Sequence, residues 1–104
     1  MKEYRIIITE ESFSQIEDAF TYIQSQSPQN AVDWLTKLYD SVYSLVTMPE
    51  RFGVARENDS FELELRCLRH FSHRVLYTVH DEDSVVRVHA VVHGSQDDLL
   101  GDEF

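Results

Sequence analysis

The sequence predicts an α+β fold: an N-terminal strand, then an antiparallel helical hairpin packed on one face of a twisted, mainly antiparallel sheet. Three observations carry this. Two adjacent segments place their apolar residues every three to four positions, the period of a helix face. Three later segments change side-chain character at a period of two or run rich in valine, as strands do. A short β-branched run, Ile6-Ile7-Ile8, precedes them all. The element order is β-α-α-β-β-β.

Residues Tyr4 to Thr9 read as the first strand, because three consecutive isoleucines favour extended backbone and suggest burial on both faces. Ser12 and Gln15 have the spacing of a capping box, and Phe13, Ile16, Ala19, Phe20 and Ile23 continue as one apolar face, so a first helix extends to about Ser25. Ser27-Pro28 reads as an N-cap with proline at the first helical position, where its missing N–H costs nothing. Ala31, Leu35, Leu38, Val42 and Leu45 then define a second helix, stopped near Met48 by Pro49. The short break between the two helices predicts an antiparallel pair. Pro49 to Ser60 mixes Pro, Gly, Asn and Asp without a period and reads as a surface loop.

Three strands follow. Phe61, Leu63, Leu65 and Cys67 alternate with Glu62, Glu64 and Arg66, which places Cys67 on a core-facing row. Val75, Tyr77 and Val79 alternate with Arg74, Leu76, Thr78 and His80. Asp81 to Ser84 is a polar turn, and the valine-rich run Val85 to Val92 belongs in the centre of the sheet. Residues 94–104 form an acidic tail. With the helices on one side, the other face of the sheet is expected to be partly open.

At 104 residues and 42% hydrophobic, the chain has the material for one core, and a single domain over 1–104 is expected. No run approaches the roughly 20 apolar residues of a membrane span, and MKEYRIIITEE lacks a signal-peptide h-region, so a cytoplasmic, non-membrane protein is expected. One cysteine permits no internal disulfide. The formal net charge of −10 argues against a generic nucleic-acid binder. The charge is uneven, however. Residues 51–93 hold six arginines against seven acids, and all five histidines fall there too, so anion-binding chemistry is expected in that part.

A literal period of two puts Arg66, Arg74, Thr78, Arg87, His89 and His93 on the open sheet face, with Arg69 near a strand end. Arginine offers a permanently charged, bidentate fork to phosphate or carboxylate. Histidine exchanges a proton near neutral pH. Such a set suits RNA cleavage, which needs a base, an acid and cations around the phosphate, but it suits an acidic protein surface equally well. For metal ions the histidine spacings are poor. His89 and His93 would lie about 13 Å apart along one strand, and Cys67, His70 and His73 meet only if the turn folds back sharply, so no metal and no cofactor are expected. Cys67 reads as a small apolar filler. With three glycines in the chain, a nucleotide-cradling loop is not expected.

The stretch LRHFSHRVLYTVHDEDSVVRVHAVVHG, Leu68 to Gly94, resembles the RelE/ParE toxin superfamily. The likeness lies in an arginine ending one strand, an R-hydrophobic-hydrophobic-Y strand, an acidic turn, a valine-rich strand and a terminal HG. It extends, more loosely, over residues 3 to 97, through the helix beginning at Ser27-Pro28 with Ala31 and Trp34 and through Met48-Pro49-Glu50-Arg51-Phe52-Gly53. The resemblance implies a growth-arresting toxin of a type II toxin-antitoxin module, of the kind met as plasmid stabilisation proteins. A cognate antitoxin would neutralise it, and a homodimer or a heterotetramer with the antitoxin is the implied assembly. It implies one of two targets: DNA gyrase, poisoned through protein contact by ParE-like members, or messenger RNA on the ribosome, cut by RelE-like endoribonucleases.

Matched by motif, Arg69 falls on the catalytic-type arginine of RelE-like members and Arg74 on the arginine opening the next strand; His93 and His89 complete the set of candidate catalytic residues. Arg66, Arg87 and Tyr77 are the candidates for partner or target contact. The chain departs from the nuclease pattern after the final strand, where Ser95, Gln96, Asp97 and Asp98 replace basic residues and the terminal aromatic is Phe104. The His93-Gly94 ending is closer to ParE-like members, so a gyrase-directed toxin is the leading expectation and an endoribonuclease the second. A toxin fold that has lost toxicity and acts only as a binding module is the third.

Overall fold

A computed structural model describes residues 2–55 and 64–94. The elements are β1 (Arg5–Ile8), α1 (Glu10–Gln26), α2 (Pro28–Tyr43), two 3-10 turns (Ser44–Val46 and Pro49–Arg51), β2 (Leu65–His70), β3 (His73–His80) and β4 (Val85–His93). The strands form one sheet in the order β1-β4-β3-β2. β4 pairs with β3 antiparallel, β3 with β2 antiparallel, and β1 with β4 parallel. The valine-rich β4 is a central strand, as its composition predicts. β1 lies at an edge, and its three isoleucines are each half-buried. Among the described residues no helix is long and apolar enough to cross a membrane.

α1 begins earlier than the Ser12 and Gln15 spacing suggests. Its N-cap is Thr9, whose hydroxyl accepts from the Ser12 N–H at 3.2 Å, and Glu10 and Glu11 occupy the positive end of the helix dipole. Ser12 and Gln15 serve the sheet instead. The Ser12 hydroxyl donates to Val88 O at 3.0 Å, and the Gln15 side-chain carbonyl accepts from Val91 N at 2.7 Å. β1 pairs with β4 only up to Val88, so polar side chains of α1 take over that edge where the strand stops.

α2 begins as predicted, with Ser27 capping Asn30 N at 3.3 Å and Pro28 in the first turn. It ends at Tyr43 rather than Met48. The chain tightens into the first 3-10 turn, and Met48 takes the left-handed conformation, φ 49°. Arg51 folds back to donate to Thr47 O at 2.8 Å and Met48 O at 3.0 Å, which satisfies carbonyls of the segment between the two 3-10 turns.

The main core joins Ile16, Trp34, Leu38, Val42 and Leu45 to Leu68, Val75, Tyr77, Val86, Val88 and Val91. In β2 the predicted phase is reversed. Phe61 to Leu63 lie outside the described residues; the strand runs on to His70, and it is Leu68 that enters the main core. Leu65 packs on the opposite face with Ala55 and Leu76, and Cys67, Ala90 and Val92 lie against them. The reversal is tolerated because the guanidinium of Arg66, carried to the helix side, donates to Phe52 O at 2.6 Å and Glu50 O at 3.1 Å and pairs with Glu64 at 2.8 Å.

The second face of the sheet is also less open than expected. Leu65, Arg74, Leu76 and Thr78 are 1%, 3%, 7% and 2% exposed. Gly53 to Ala55 run along the outer edge of β2, where Ala55 N donates to Leu65 O at 2.7 Å and Cys67 N to Gly53 O at 3.0 Å. Among the described residues this face is therefore not a bare apolar sheet. Of the acidic tail only Gly94 is described; the rest lies outside the described residues.

Candidate functional site

The face of the sheet away from the helices carries Arg69 and Cys67 from β2, Arg74, Leu76, Thr78 and His80 from β3, and Arg87, His89 and Val92 from β4. Two polar groups form on it, separated by the apolar cluster around Leu65, Leu76 and Ala90.

The first group is built on the β2–β3 hairpin. His70 and His73 close a two-residue turn, so Arg69 and Arg74 are the next facing pair. Side chains directly opposite in an antiparallel ladder lie within about 5 Å at Cβ, and like charges so placed repel. Arg74 is buried, with its Nε donating to Cys67 Sγ at 3.1 Å, while Arg69 is exposed. Both line a cavity of about 520 Å³ bounded by Phe52, Gly53, Val54 and Cys67. Two guanidinium groups beside a cavity suit an anion, a phosphate or a carboxylate.

The second group lies toward the other end of the strands. The Thr78 hydroxyl is 2.8 Å from His89 Nε2 and 2.8 Å from His80 Nε2. One hydroxyl carries one proton, so Thr78 can donate to one imidazole at most and must accept from the other. Burial, then the electrostatic influence of Arg87 and His80, lowers the pKa of His89 and favours its neutral form. Arg87 is the register partner of Thr78. Arg74 and Thr78 are four residue steps apart on β3, about 13 Å at roughly 3.3 Å each. The arginine pair and the histidine-threonine group are thus side by side on one face but not within reach of a single bond.

The remaining candidates lie elsewhere, which corrects the positions expected for them. Arg66 is on the helix side, clamping the loop at Glu50 and Phe52. Tyr77 is fully buried in the main core and donates its hydroxyl to Pro49 O at 2.6 Å, with burial pushing its pKa up to about 12. It offers no surface to a partner. His93 is exposed, but on the helix side, where its ring meets that of His73 edge-on with centroids 5.1 Å apart. The four candidate catalytic residues are therefore divided: Arg69 and Arg74 together, His89 beyond the apolar divide, and His93 across the sheet. The cause is a β-bulge in β4, where the pairing shifts between Leu76 and Tyr77 and puts His93 in phase with Val91, not with His89.

Sequence reasoning passed over two groupings. His80 joins His89 through Thr78, a contact that depends on the β3–β4 register. His70, His73 and His93 form a row across β2, β3 and β4, because His73 faces both of the others. His70 Nε2 lies 3.1 Å from Trp34 O, and burial lowers its pKa; burial next to His93 and His70 lowers that of His73 to about 4. Cys67 points to the opposite face from His70 and His73, so that trio does not converge. Among the described residues no three His, Cys, Asp or Glu side chains gather as metal ligands would.

Gly94 accounts for the terminal HG. Its N–H donates to Ser72 O at 2.6 Å, tying the end of β4 to the β2–β3 turn, and a Cβ at this position would stand 3.2 Å from that oxygen.

The chain is similar in fold to the RelBE2 toxin-antitoxin complex of Mycobacterium tuberculosis, at 21% identity and a TM-score of 0.60, covering 89% of this chain and 93% of that one. It is similar also to the chromosomal ParDE system of P. aeruginosa, at 11% identity and a TM-score of 0.68 over 89% and 98%. A third likeness is to the archaeal RelE–RelB complex of Pyrococcus horikoshii OT3, at 20% identity and a TM-score of 0.57 over 92% and 99%. No curated protein matches. The family described as the ParE toxin of the type II toxin-antitoxin system parDE matches residues 6–98, from the first strand through both helices and past the Gly94 that closes the sheet. The chain belongs to the ParE toxin family of type II toxin-antitoxin systems.

Proposed function

We propose that this chain is a growth-arresting toxin that acts on DNA gyrase by protein-protein contact and is neutralised by a cognate antitoxin. The observation that carries the reading is the makeup of the hairpin cavity. Arg69 and Arg74 supply two cations, Cys67 Sγ accepts from Arg74, and neither His89 nor His93 shares the site. Such a site can hold a carboxylate of a partner protein, but it lacks the paired acid and base that strand cleavage requires. The similar structures contain antitoxins, which supports an antitoxin partner here. Arg87, half-buried at the second polar group, is the other contact residue on this face.

The test is a gyrase supercoiling assay with purified toxin and with Arg69→Ala/Arg74→Ala. The expected result is inhibition that the double substitution abolishes and the co-encoded antitoxin reverses. Unchanged supercoiling at large molar excess would refute the target.

One observation favours a second reading, a ribosome-dependent endoribonuclease. The His89–Thr78–His80 group lies on the same face as the two arginines, and it has a neutral imidazole able to take a proton. Messenger RNA bridging the apolar divide would bring the two groups together. Transcripts cleaved on induction, with cleavage lost in His89→Gln, would establish it.

A further inference from the structure

We propose that His73 and His93 form a binding site for one divalent transition-metal ion of the imidazole-preferring kind, nickel, copper or zinc. The inference is independent of which target the toxin has.

The register makes the two histidines direct cross-strand partners, with both side chains on the helix side of the sheet. Their ring centroids are 5.1 Å apart. A metal–imidazole bond is about 2.0–2.1 Å, and the ring centre lies about 1 Å beyond the nitrogen, so two imidazoles on one tetrahedral ion have ring centres about 5 Å apart. The 5.1 Å between the ring centres is thus compatible with shared coordination once a nitrogen of each ring is aimed at a common point. The two rings are inclined by 75° and meet edge-on, so rotation about the side-chain bonds, with both backbones held on their strands, aims a nitrogen of each at one ion.

The surroundings point the same way. Nδ1 of His73 is buried and has no hydrogen-bond partner, although buried polar atoms are nearly always satisfied. The two rings line a cavity of about 320 Å³ between β4 and α1, with Gln15, Asp18 and Tyr22 on its α1 wall. Asp18 adds a carboxylate to that wall, and the chain as a whole is strongly acidic, so a cation entering there is attracted rather than repelled. Two imidazoles fill part of a coordination sphere and leave the rest to water. Nitrogen ligands of this type select later first-row ions over magnesium or calcium.

The chain supplies its own reporter. Trp34 is its single tryptophan, and the indole centroid is 5.1 Å from that of His73. Untagged full-length protein is titrated with NiCl₂ while tryptophan emission is recorded. The expected result is saturable quenching at one equivalent, reversed by EDTA and by excess zinc, which displaces nickel without quenching. His93→Gln, an exposed substitution, should weaken binding by about tenfold or more. His89→Gln and Cys67→Ser should leave the titration unchanged. Absence of saturable quenching in the wild type, an identical titration in His93→Gln, or loss of the effect in Cys67→Ser would each overturn the proposal.

Discussion

Replacing Tyr77 with Phe separates a core role from a partner-binding role. Tyr77 is 0% exposed, and its hydroxyl donates at 2.6 Å to the carbonyl of Pro49, itself buried. The substitution leaves that carbonyl without its donor, at a cost of about 1–3 kcal/mol. For a domain of this size the melting temperature should fall by about 5–15 °C. A pH signature accompanies the loss. Burial raises the folded-state pKa of Tyr77 from 10.0 to about 12. The unfolded chain therefore gives up the proton first, and folding binds more protons than unfolding does. This contribution is whole below pH 10, declines as pH rises from 10 to 12, and amounts to no more than about 3 kcal/mol. Tyr4, hydrogen-bonded to Asp81 and also raised to about 12, acts in the same window, so Tyr77→Phe should remove part of the alkaline slope and Tyr4→Phe another part. Urea denaturation at pH 7, 9, 10.5 and 11.5 measures both effects, and calorimetry measures antitoxin affinity at pH 7. Unchanged stability combined with weakened antitoxin binding would refute the core assignment.

Further predictions concern the hairpin, the sheet end and the histidines. Arg69→Glu replaces the exposed cation of the hairpin cavity with a carboxylate; growth arrest should be lost while stability changes by no more than about 0.5 kcal/mol, as followed by colony counts and thermal melts. Gly94→Ala sets a methyl group 3.2 Å from Ser72 O and should cost about 1 kcal/mol, read as a shift in urea midpoint at constant slope. Because the folded-state pKa of His89 is lowered, the unfolded chain takes up the proton first and stability falls as pH drops below about 6.5; His89→Gln should flatten the acid limb of a stability–pH curve.

The helices were legible because their signals are local. Ser27-Pro28 announces the start of α2 through chemistry confined to one turn, and the apolar spacing from Ala31 to Leu45 marks its buried face directly. Where a residue's local pattern and its tertiary task differ, the pattern misled. Ser12 and Gln15 look like a cap, yet they bond the exposed edge of β4, an edge that exists only once β1 has stopped short of it. Arg66 looks solvent-facing, but the carbonyls at Glu50 and Phe52 hold it on the helix side.

The candidate site divides along the same line. Which residue types could bind an anion, and that they cluster in the C-terminal half, follow from the sequence, since charge and hydrogen-bonding capacity belong to the side chain itself. So do the α+β class, the order of elements and the central place of the valine-rich strand, because hydrophobic periodicity reports burial residue by residue. Which of these residues meet was decided by register. The hairpin turn puts Arg69 opposite Arg74, and the bulge near Leu76 moves His93 out of phase with His89 and into line with His73. A single extra residue in one strand reverses every side chain beyond it, and nothing in the alternation of apolar and polar letters records where that residue falls.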